Sequence, residues 1–569
     1  MPYHADEEID PISPGKPEQD SSTVTEKQPP SHNNDKKDDQ PLASEDNGQH
    51  GEEDDEEDNE EDNDDDDSVA ETNELMDYGG MTGDIVDRIE TQEYETAQRK
   101  KELKERHIEE KKLTPKERVN EYYKAAPKFI FAYVKVFCIY VGFLSLYWGS
   151  MYRRDTRFKN IKYAVINQDT EFEFNGVTIQ PYLGNAMENM VLDNSTVRKF
   201  GDFVYPNMTA FIELAQNHNN TLFEEMEHKI HHQKYWGGIY IAPNSTQRIY
   251  ESFYNANATF MTSGAINESV TVVYETGRHF GGVVQYTFRN LDFVGQTWVK
   301  EYVYQQIYLP IIQLLNATQK RALLANNETA AIFSTFPVFS FKDNAPSPAP
   351  EMIAVAQIEL IYCLLISFYS FTFSAETYGY MRKKLVYRNY LFFKFLISQL
   401  HYFLLGLVYA LMVKAFQIPT SVTFGKLGFL VLWMFVSLFI AAEGAANEVA
   451  VLIIFAYDKK VLIAPWMVFN IVSNVAVAFG PLDLMPGFFR YGYAWPMYNA
   501  YELIRVVFFN TWKGHMGRNI GVLWIWVVVG NILLVFISNW ASKRAKRIAR
   551  EERRKRREEE KRLDKEAGL

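Results

Sequence analysis

FIFAYVKVFCIYVGFLSLYWG, residues 129–149, carries one charged side chain, Lys135, in an otherwise apolar or weakly polar run. About twenty such residues in a helix cross the roughly 30 Å of hydrocarbon in a bilayer. A polar stretch of about two hundred residues follows, and then apolar blocks of the same length recur. They are IAVAQIELIYCLLISFYSFTFS (353–374), YLFFKFLISQLHYFLLGLVYALMV (390–413), LGFLVLWMFVSLFIAAEGAA (427–446), VLIAPWMVFNIVSNVAVAFG (461–480) and GVLWIWVVVGNILLVFISNW (521–540). Six spans is the simplest count. NEVAVLIIFAYDKK (447–460) reads either as loop or as a continuation of its neighbour. The fold class expected is a polytopic α-helical membrane protein with six spans and an α/β ectodomain between spans one and two.

The average composition hides this division. Of a net charge of −14 over 569 residues, much comes from 52–67, which holds fourteen Asp or Glu and no base. Residues 1–84 cannot bury enough apolar area to offset their chain entropy, so a disordered acidic cytosolic tail is expected there. It has no basic cap followed by an apolar run, so no cleavable signal peptide is expected. Residues 85–128 read as a basic juxtamembrane helical segment, with Pro115 expected to interrupt it. The first span (129–149), a glycosylated ectodomain (150–352), a five-span membrane domain (353–540) and a basic cytosolic tail (541–569) complete the order.

Lys and Arg collect before the first span, in MRKKLVYR (381–388), in DKK (458–460) and beyond Lys543. An even number of spans puts all four on one face, the cytosol by the positive-inside rule, with both termini cytosolic. YRRDTRFKNIK (152–162) puts five bases on the other face, but long translocated domains largely escape that rule. A second marker is sharper. The Asn-x-Ser/Thr acceptors are Asn194, Asn207, Asn219, Asn244, Asn257, Asn267, Asn316 and Asn327, all between the first and second spans. Their segregation predicts that this loop faces the secretory lumen and is glycosylated.

Within the loop, IKYAVINQD (161–169), WGGIYIAP (236–243) and SVTVVYETG (269–277) have the alternation and β-branched character of strands, while 196–232 and 283–330 read as helical. Cys138 and Cys363 both fall in spans, so the ectodomain holds its shape without disulfides, and each cysteine reads as a packing residue.

The layout of one span, a large outer domain and five spans resembles the membrane domain of ABC-2-type exporters and the related phage-infection-protein family. YAVINQD and GGIYIAPNS are similar to the first strands of those outer domains. YETGRHF, AAEGAANE and PLDLMPGFFRYGYAWPMYNAYELIR resemble the fungal nitrosoguanidine-resistance family. The resemblance covers roughly 125–540 and is most specific in its last 110 residues. It implies a fungal plasma-membrane protein, or one of another secretory-pathway membrane, linked to drug tolerance and lipid organisation. It also implies that the connection between the last two spans dips into the outer leaflet.

That connection includes RYGYAWPMYNAYELIRVVFFNTWKG (490–514), too polar to cross and too aromatic for an ordinary loop. Pro481, Pro486 and Pro496 divide 481–514 into short pieces, and rings such as Trp495, Tyr498 and Tyr501 prefer the headgroup boundary. Residues 497–509 form one amphipathic helix, with Glu502 and Arg505 an i, i+3 pair. The competing reading is an outer loop packed on the ectodomain.

Neither Gly-Lys pair sits in a GxxxxGK[ST] pattern, so active transport would need a separate ATPase or a gradient. AETYGYMRKKLVYRNY (375–390) lies where exporters touch their ATPase; otherwise it is a positive-inside anchor. On a helix, Glu224, His228 and His232 share a face that could bind metal, though a solvated face is the ordinary reading. No nucleophile elbow, Cys-His pairing or paired-carboxylate signature suggests an enzyme, and no cofactor or nucleic-acid partner is expected. Membrane lipids are the expected partners.

Ionisable residues inside spans carry more weight, since each costs a few kcal/mol at the bilayer centre. Lys135 and Lys394 lie near cytosolic ends and are expected to snorkel. Glu359 and His401 could approach across spans two and three as an intramembrane polar site. Glu443 sits among small residues that favour close helix packing. The function expected is an ABC-2-like membrane protein without its own ATPase, affecting lipid arrangement or tolerance to toxic compounds by transport or scaffolding. The alternative is a glycosylated receptor or scaffold with passive spans.

Overall fold

Pro115 begins a helix, and the other side of the interruption expected there lies outside the described residues. Thr114 donates its backbone N–H to the Glu117 carboxylate at 2.6 Å, and proline fits the first helical position, whose N–H has no partner within the helix. Helix α1 (Pro115–Met151) then runs through the whole of 129–149. The computed structural model describes residues 114–349, 351–352 and 354–566. The expected acidic tail and residues 85–113 lie outside them.

Residues 162–343 hold a five-stranded sheet of order β4-β1-β5-β6-β7. Its strands are β1 (Lys162–Asn167), β4 (Asp202–Val204), β5 (Gly237–Ile241), β6 (Val270–Tyr274) and β7 (Ser340–Asp343). β1 is parallel to β4 and β5, β5 and β6 are antiparallel, and β6 is parallel to β7. A hairpin of β2 (Phe172–Phe174) and β3 (Val177–Ile179) stands apart. The three expected strands are present. β4 and β7 are additions, and β4 interrupts the expected helical stretch 196–232.

Both faces of the sheet are covered, so successive residues of β1 enter different cores. Tyr163 and Val165 join Ile239, Val272 and the buried faces of α2 (Tyr182–Asp193) and α5 (Ser245–Tyr254). Ala164 and Ile166 join Met226 and Ile230 of α4 (Leu222–His231) and Phe211 of α3 (Met208–Asn217). A helical run over 280–314 (α6), with π stretches at Val283–Phe288 and Trp298–Tyr308, closes the first face through buried Leu291, Val294 and Trp298.

Among the described residues, five helical stretches are long and apolar enough to cross a membrane: Pro115–Met151, Tyr387–Ala415, Ser421–Ala456, Lys460–Ala478 and Lys513–Arg544. The expected second span is a shorter apolar helix, Ala354–Ser370. Its regular part is α7 (Glu359–Phe373), preceded by a π stretch Ala354–Ile358. After α8 (Ala375–Lys384) come α9 (Tyr387–Ala415), α10 (Gly428–Ala456) and α11 (Ile463–Ala478). Two 3-10 turns lead to α12 (Pro496–Phe509), and α13 (Met516–Glu566) ends the described chain. α10 absorbs most of 447–460, so that stretch continues the helix. α13 passes residue 540 without a break, joining the last apolar block and the basic tail in one rod.

Glycines and alanines let the helices approach. A Cβ on Gly444 would lie 2.4 Å from the Tyr402 ring, one on Gly406 2.1 Å from Ser437, and one on Gly530 2.7 Å from Ala445. α1 is different: among its described residues only Ser150 is buried, and most of its apolar side chains face outward, as lipid contact requires, while Leu146 and Tyr147 pack toward Ala476, Val477 and Phe489. The chain is a membrane protein.

Candidate functional site

α10 is hydrophobic around its whole circumference except for a few polar side chains, and these are buried. Glu443 and Asn447 are four residues apart and so share one face. Asn470 and Asn474 repeat that spacing on α11. The faces meet. The Asn470 amide donates to Glu443 Oε2 at 2.9 Å and to Asn447 Oδ1 at 3.0 Å. Trp466 Nε1 donates to the same Asn447 oxygen at 3.1 Å, and Asn447 Nδ2 donates to Ser367 Oγ of α7 at 3.2 Å. Asn474 donates to Asn470 Oδ1 at 3.0 Å, while its own Oδ1 accepts the Met497 N–H of α12 at 3.1 Å. Hydrogen bonds thus run from α7 through α10 and α11 to the start of α12. Within this run Glu443 Oε1 is buried and has no hydrogen-bond partner.

Across α10, Glu448 meets Lys394 of α9 in an ion pair with both side chains almost fully buried. The expectation that Lys394 snorkels is corrected: it is 1% exposed. α9 is inverted relative to a soluble helix. Tyr390, Lys394, Ser398 and Tyr402 form its buried stripe, while Phe392, Leu396, Leu400 and Leu404 face outward. Water is absent from the hydrocarbon, so polar groups lower their free energy by pairing inside the bundle. Tyr378 of α8 closes this side, its hydroxyl 3.0 Å from Ser398 Oγ.

Glu359 and His401 are not brought together. His401 Nδ1 lies 3.3 Å from Ser374 Oγ, at the far end of α7 from Glu359. At a helical rise of about 1.5 Å per residue, those ends are roughly 22 Å apart. The residue of α9 that reaches the Glu359 end is Tyr409, which donates to Val355 O at 2.9 Å.

The aromatic segment is broken where its prolines stand, and Pro496 occupies the first turn of α12. α12 is buried on nearly every side, with Tyr498 half-buried, so it is not an interfacial helix with one wet face. The Glu502–Arg505 ion pair forms and is buried. Tyr501 accepts from Gln357 Nε2 at 2.9 Å, and Trp495 Nε1 donates to Ser473 Oγ at 3.2 Å. The sheet domain rests on this segment. Trp236 Nε1 donates to Asp483 at 3.1 Å, the His279 and Tyr501 rings are 5.4 Å apart, and a Cβ on Gly277 would meet Phe509 at 2.4 Å. Burial pushes the Arg278 guanidinium down to about 10. Burial, with Arg505 and Arg154 nearby, holds His279 down at about 3.

Seven of the eight sequon asparagines are exposed; Asn194 is half-buried, with Nδ2 3.2 Å from the Tyr302 hydroxyl. The expected Glu224–His228–His232 face is rearranged. Glu224 caps its own helix by accepting the Thr221 N–H at 2.7 Å, and the carboxylate turned toward the histidines is Glu225.

A groove of ≈ 500 Å³ lies between the proline-broken segment and α13, walled by Val522, Ile525, Trp526 and Val529, with Arg490 and Tyr493 at its polar edge. Such a lining suits an amphiphile, with a cation for its head and apolar walls for its tail.

Residues 132–532, from inside α1 to inside α13, match the family described as "Protein of unknown function (DUF3533)". The chain belongs to that family. The family unit contains the sheet domain, the polar run and the groove, and leaves both tails outside. The chain is also 29% identical over 433 residues, 75% of its length and 82% of the relative's, to "Uncharacterized endoplasmic reticulum membrane protein YJR015W" of Saccharomyces cerevisiae. No solved structure matches.

Asn447, Glu448, Asn470 and Asn474 were not singled out from sequence. The paired four-residue spacings in two apolar stretches were the available signal. Glu448 was missed because it lay beyond the expected end of its span.

Proposed function

We propose that this DUF3533 protein handles lipids or toxic amphiphiles within a secretory-pathway membrane. Its polar run would serve as the working part of an ABC-2-like, nitrosoguanidine-resistance-like domain. The observation that carries this reading is the hydrogen-bonded run centred on Glu443. A buried carboxyl with one oxygen on an amide and the other unpartnered can exchange a proton or accept a donor from a polar head. An ionisable group inside membrane helices is a site before it is a packing device.

In this reading the chain crosses six times, with α7 and its π stretch spanning roughly 30 Å at helical rise. The sequons face the lumen, and both termini, 381–388 and 458–460 face the cytosol. The yeast relative's name makes the endoplasmic reticulum as eligible an address as the plasma membrane. A separate ATPase, docking near α8, supplies energy where transport is active. The protein itself catalyses no covalent chemistry.

The test uses cells that lack the chromosomal copy and carry wild type, Glu443→Gln or Asn470→Leu. Wild type should restore tolerance to toxic amphiphiles and normal leaflet distribution of aminophospholipid. Glu443→Gln should reach the same protein level and restore neither. Full restoration by both variants would overturn the proposal in favour of a receptor or scaffold with passive spans.

A further inference from the structure

The sheet domain carries a histidine cluster that the polar run does not use. Its centre is Glu225, whose carboxylate is fully buried on α4. His218, at the C-terminal end of α3, approaches Glu225 Oε2 with Nδ1 at 2.8 Å, and His228 brings its own Nδ1 to 3.8 Å from Oε1. The ligand atoms of these three residues all lie within 4.8 Å of one another. Asn220 Nδ2 donates to Oε2 at 3.1 Å, and Lys229 Nζ lies 3.0 Å from Oε1. His228 Nδ1 is buried and has no hydrogen-bond partner, an uncommon state for an imidazole nitrogen. The His232 ring stands 4.0 Å from that of His228; its Nδ1 is tied to the His228 carbonyl at 2.8 Å, which leaves Nε2 free.

We propose that His218, Glu225 and His228 bind one Zn²⁺ ion, with His232 or water in the fourth position. Tetrahedral zinc with nitrogen and oxygen ligands near 2.1 Å sets those atoms about 3.4 Å apart. The histidine nitrogens lie 2.8 Å from Oε2 and 3.8 Å from Oε1, and no pair of ligand atoms is more than 4.8 Å apart, so the side chains close by no more than about 1.4 Å to hold an ion. Two imidazoles and one carboxylate favour Zn²⁺ over the oxygen-seeking Ca²⁺ and Mg²⁺. In the metal-free arrangement His218 Nδ1 and Glu225 Oε2 share a hydrogen bond; the ion replaces that bridging proton. Lys229 stays on the outer oxygen and offsets part of the carboxylate charge. A general reason also separates this cluster from a solvated helix face: Glu225 points inward, and His218 comes from a different helix.

The test is equilibrium dialysis of full-length, tag-free protein in detergent against Zn²⁺, with bound metal measured by mass spectrometry. Wild type should hold one ion per chain, raise its thermal midpoint with Zn²⁺, and give the visible absorption of a tetrahedral site with Co²⁺. His228→Ala removes a nitrogen that makes no hydrogen bond, so it should keep the metal-free midpoint while affinity falls at least the roughly tenfold that even an outer-sphere partner is worth. His218→Ala should weaken binding similarly, and His231→Ala, whose ring pairs instead with Glu275 at 3.1 Å, should not. No bound zinc in the wild type, or equal binding by wild type, His218→Ala and His228→Ala, would overturn the proposal.

Discussion

Asp169 in the sheet domain and Glu443 in the helix bundle are both buried carboxyls, but they are provided for differently. Asp169 receives the Thr246 N–H at 3.0 Å, the Thr246 hydroxyl at 2.5 Å and the Gly184 N–H at 3.2 Å. Its oxygens are committed to the starts of α2 and α5, where helix N-termini favour negative charge. Glu443 has an amide on one oxygen and no partner on the other. The contrast teaches which buried acids hold a fold and which remain available. Saturated, local hydrogen bonding marks a structural acid. An uncommitted oxygen within a chain of amides that spans several helices marks one that can still accept a donor.

The Lys394–Glu448 pair offers the largest effect. Lys394→Met strands the Glu448 charge in the bundle, which should cost about 3–5 kcal/mol and clear the protein from the membrane fraction. Lys394→Met combined with Glu448→Gln should recover much of the level, as read by immunoblot. Next comes the contrast itself. Asp169→Ala leaves several backbone and hydroxyl donors without partners and should lower stability by about 3 kcal/mol. Glu443→Gln keeps an acceptor for Asn470 and should change the unfolding midpoint little. Equal destabilisation by the two would erase the distinction between them.

Acidification should give a smaller, signed effect. His279 stays neutral in the fold, whereas an unfolded histidine titrates near 6.5. Stability is therefore intact above about pH 6.5 and declines as pH falls below it, because only the unfolded chain takes up the proton. His279→Asn retains an acceptor for the Gly282 N–H and should flatten the decline in thermal midpoint between about pH 7 and 5. His231 acts in the opposite direction. Its hydrogen bond with Glu275 raises its pKa, so its contribution is present below about 6.5 and is lost as pH rises through the folded value. His231→Gln should make acid loss steeper than in wild type. The smallest effect concerns Asn194. Its amide is engaged by Tyr302, so Asn194→Gln should shift electrophoretic mobility less than Asn257→Gln, in samples compared before and after glycosidase.

The membrane helices were legible because apolar length reports directly on the bilayer, and the three central strands because β-branched alternation reports on a covered sheet. β4 and β7 were not: DFV and SFKD are too short for a period to show. The site was half legible. Glu443 and the Glu502–Arg505 spacing were visible, but Lys394 was assigned to the surface by its nearness to a span end. Its partner, Glu448, lies on another helix. Hydropathy scores residues one at a time, and a desolvated ion pair exists only between two. For the same reason Glu359 and His401 looked suited to each other in sequence and are held apart by the antiparallel course of α7 and α9.

α13 has a mechanical consequence. Its fifty-one residues make a rod of about 76 Å at helical rise, with one end beside the sheet domain and the other in the arginine-rich terminus. A tilt of about 10° at the upper end swings the lower end by roughly 13 Å, because no joint absorbs the rotation. A tilt of one end is thus carried along the whole helix to the other.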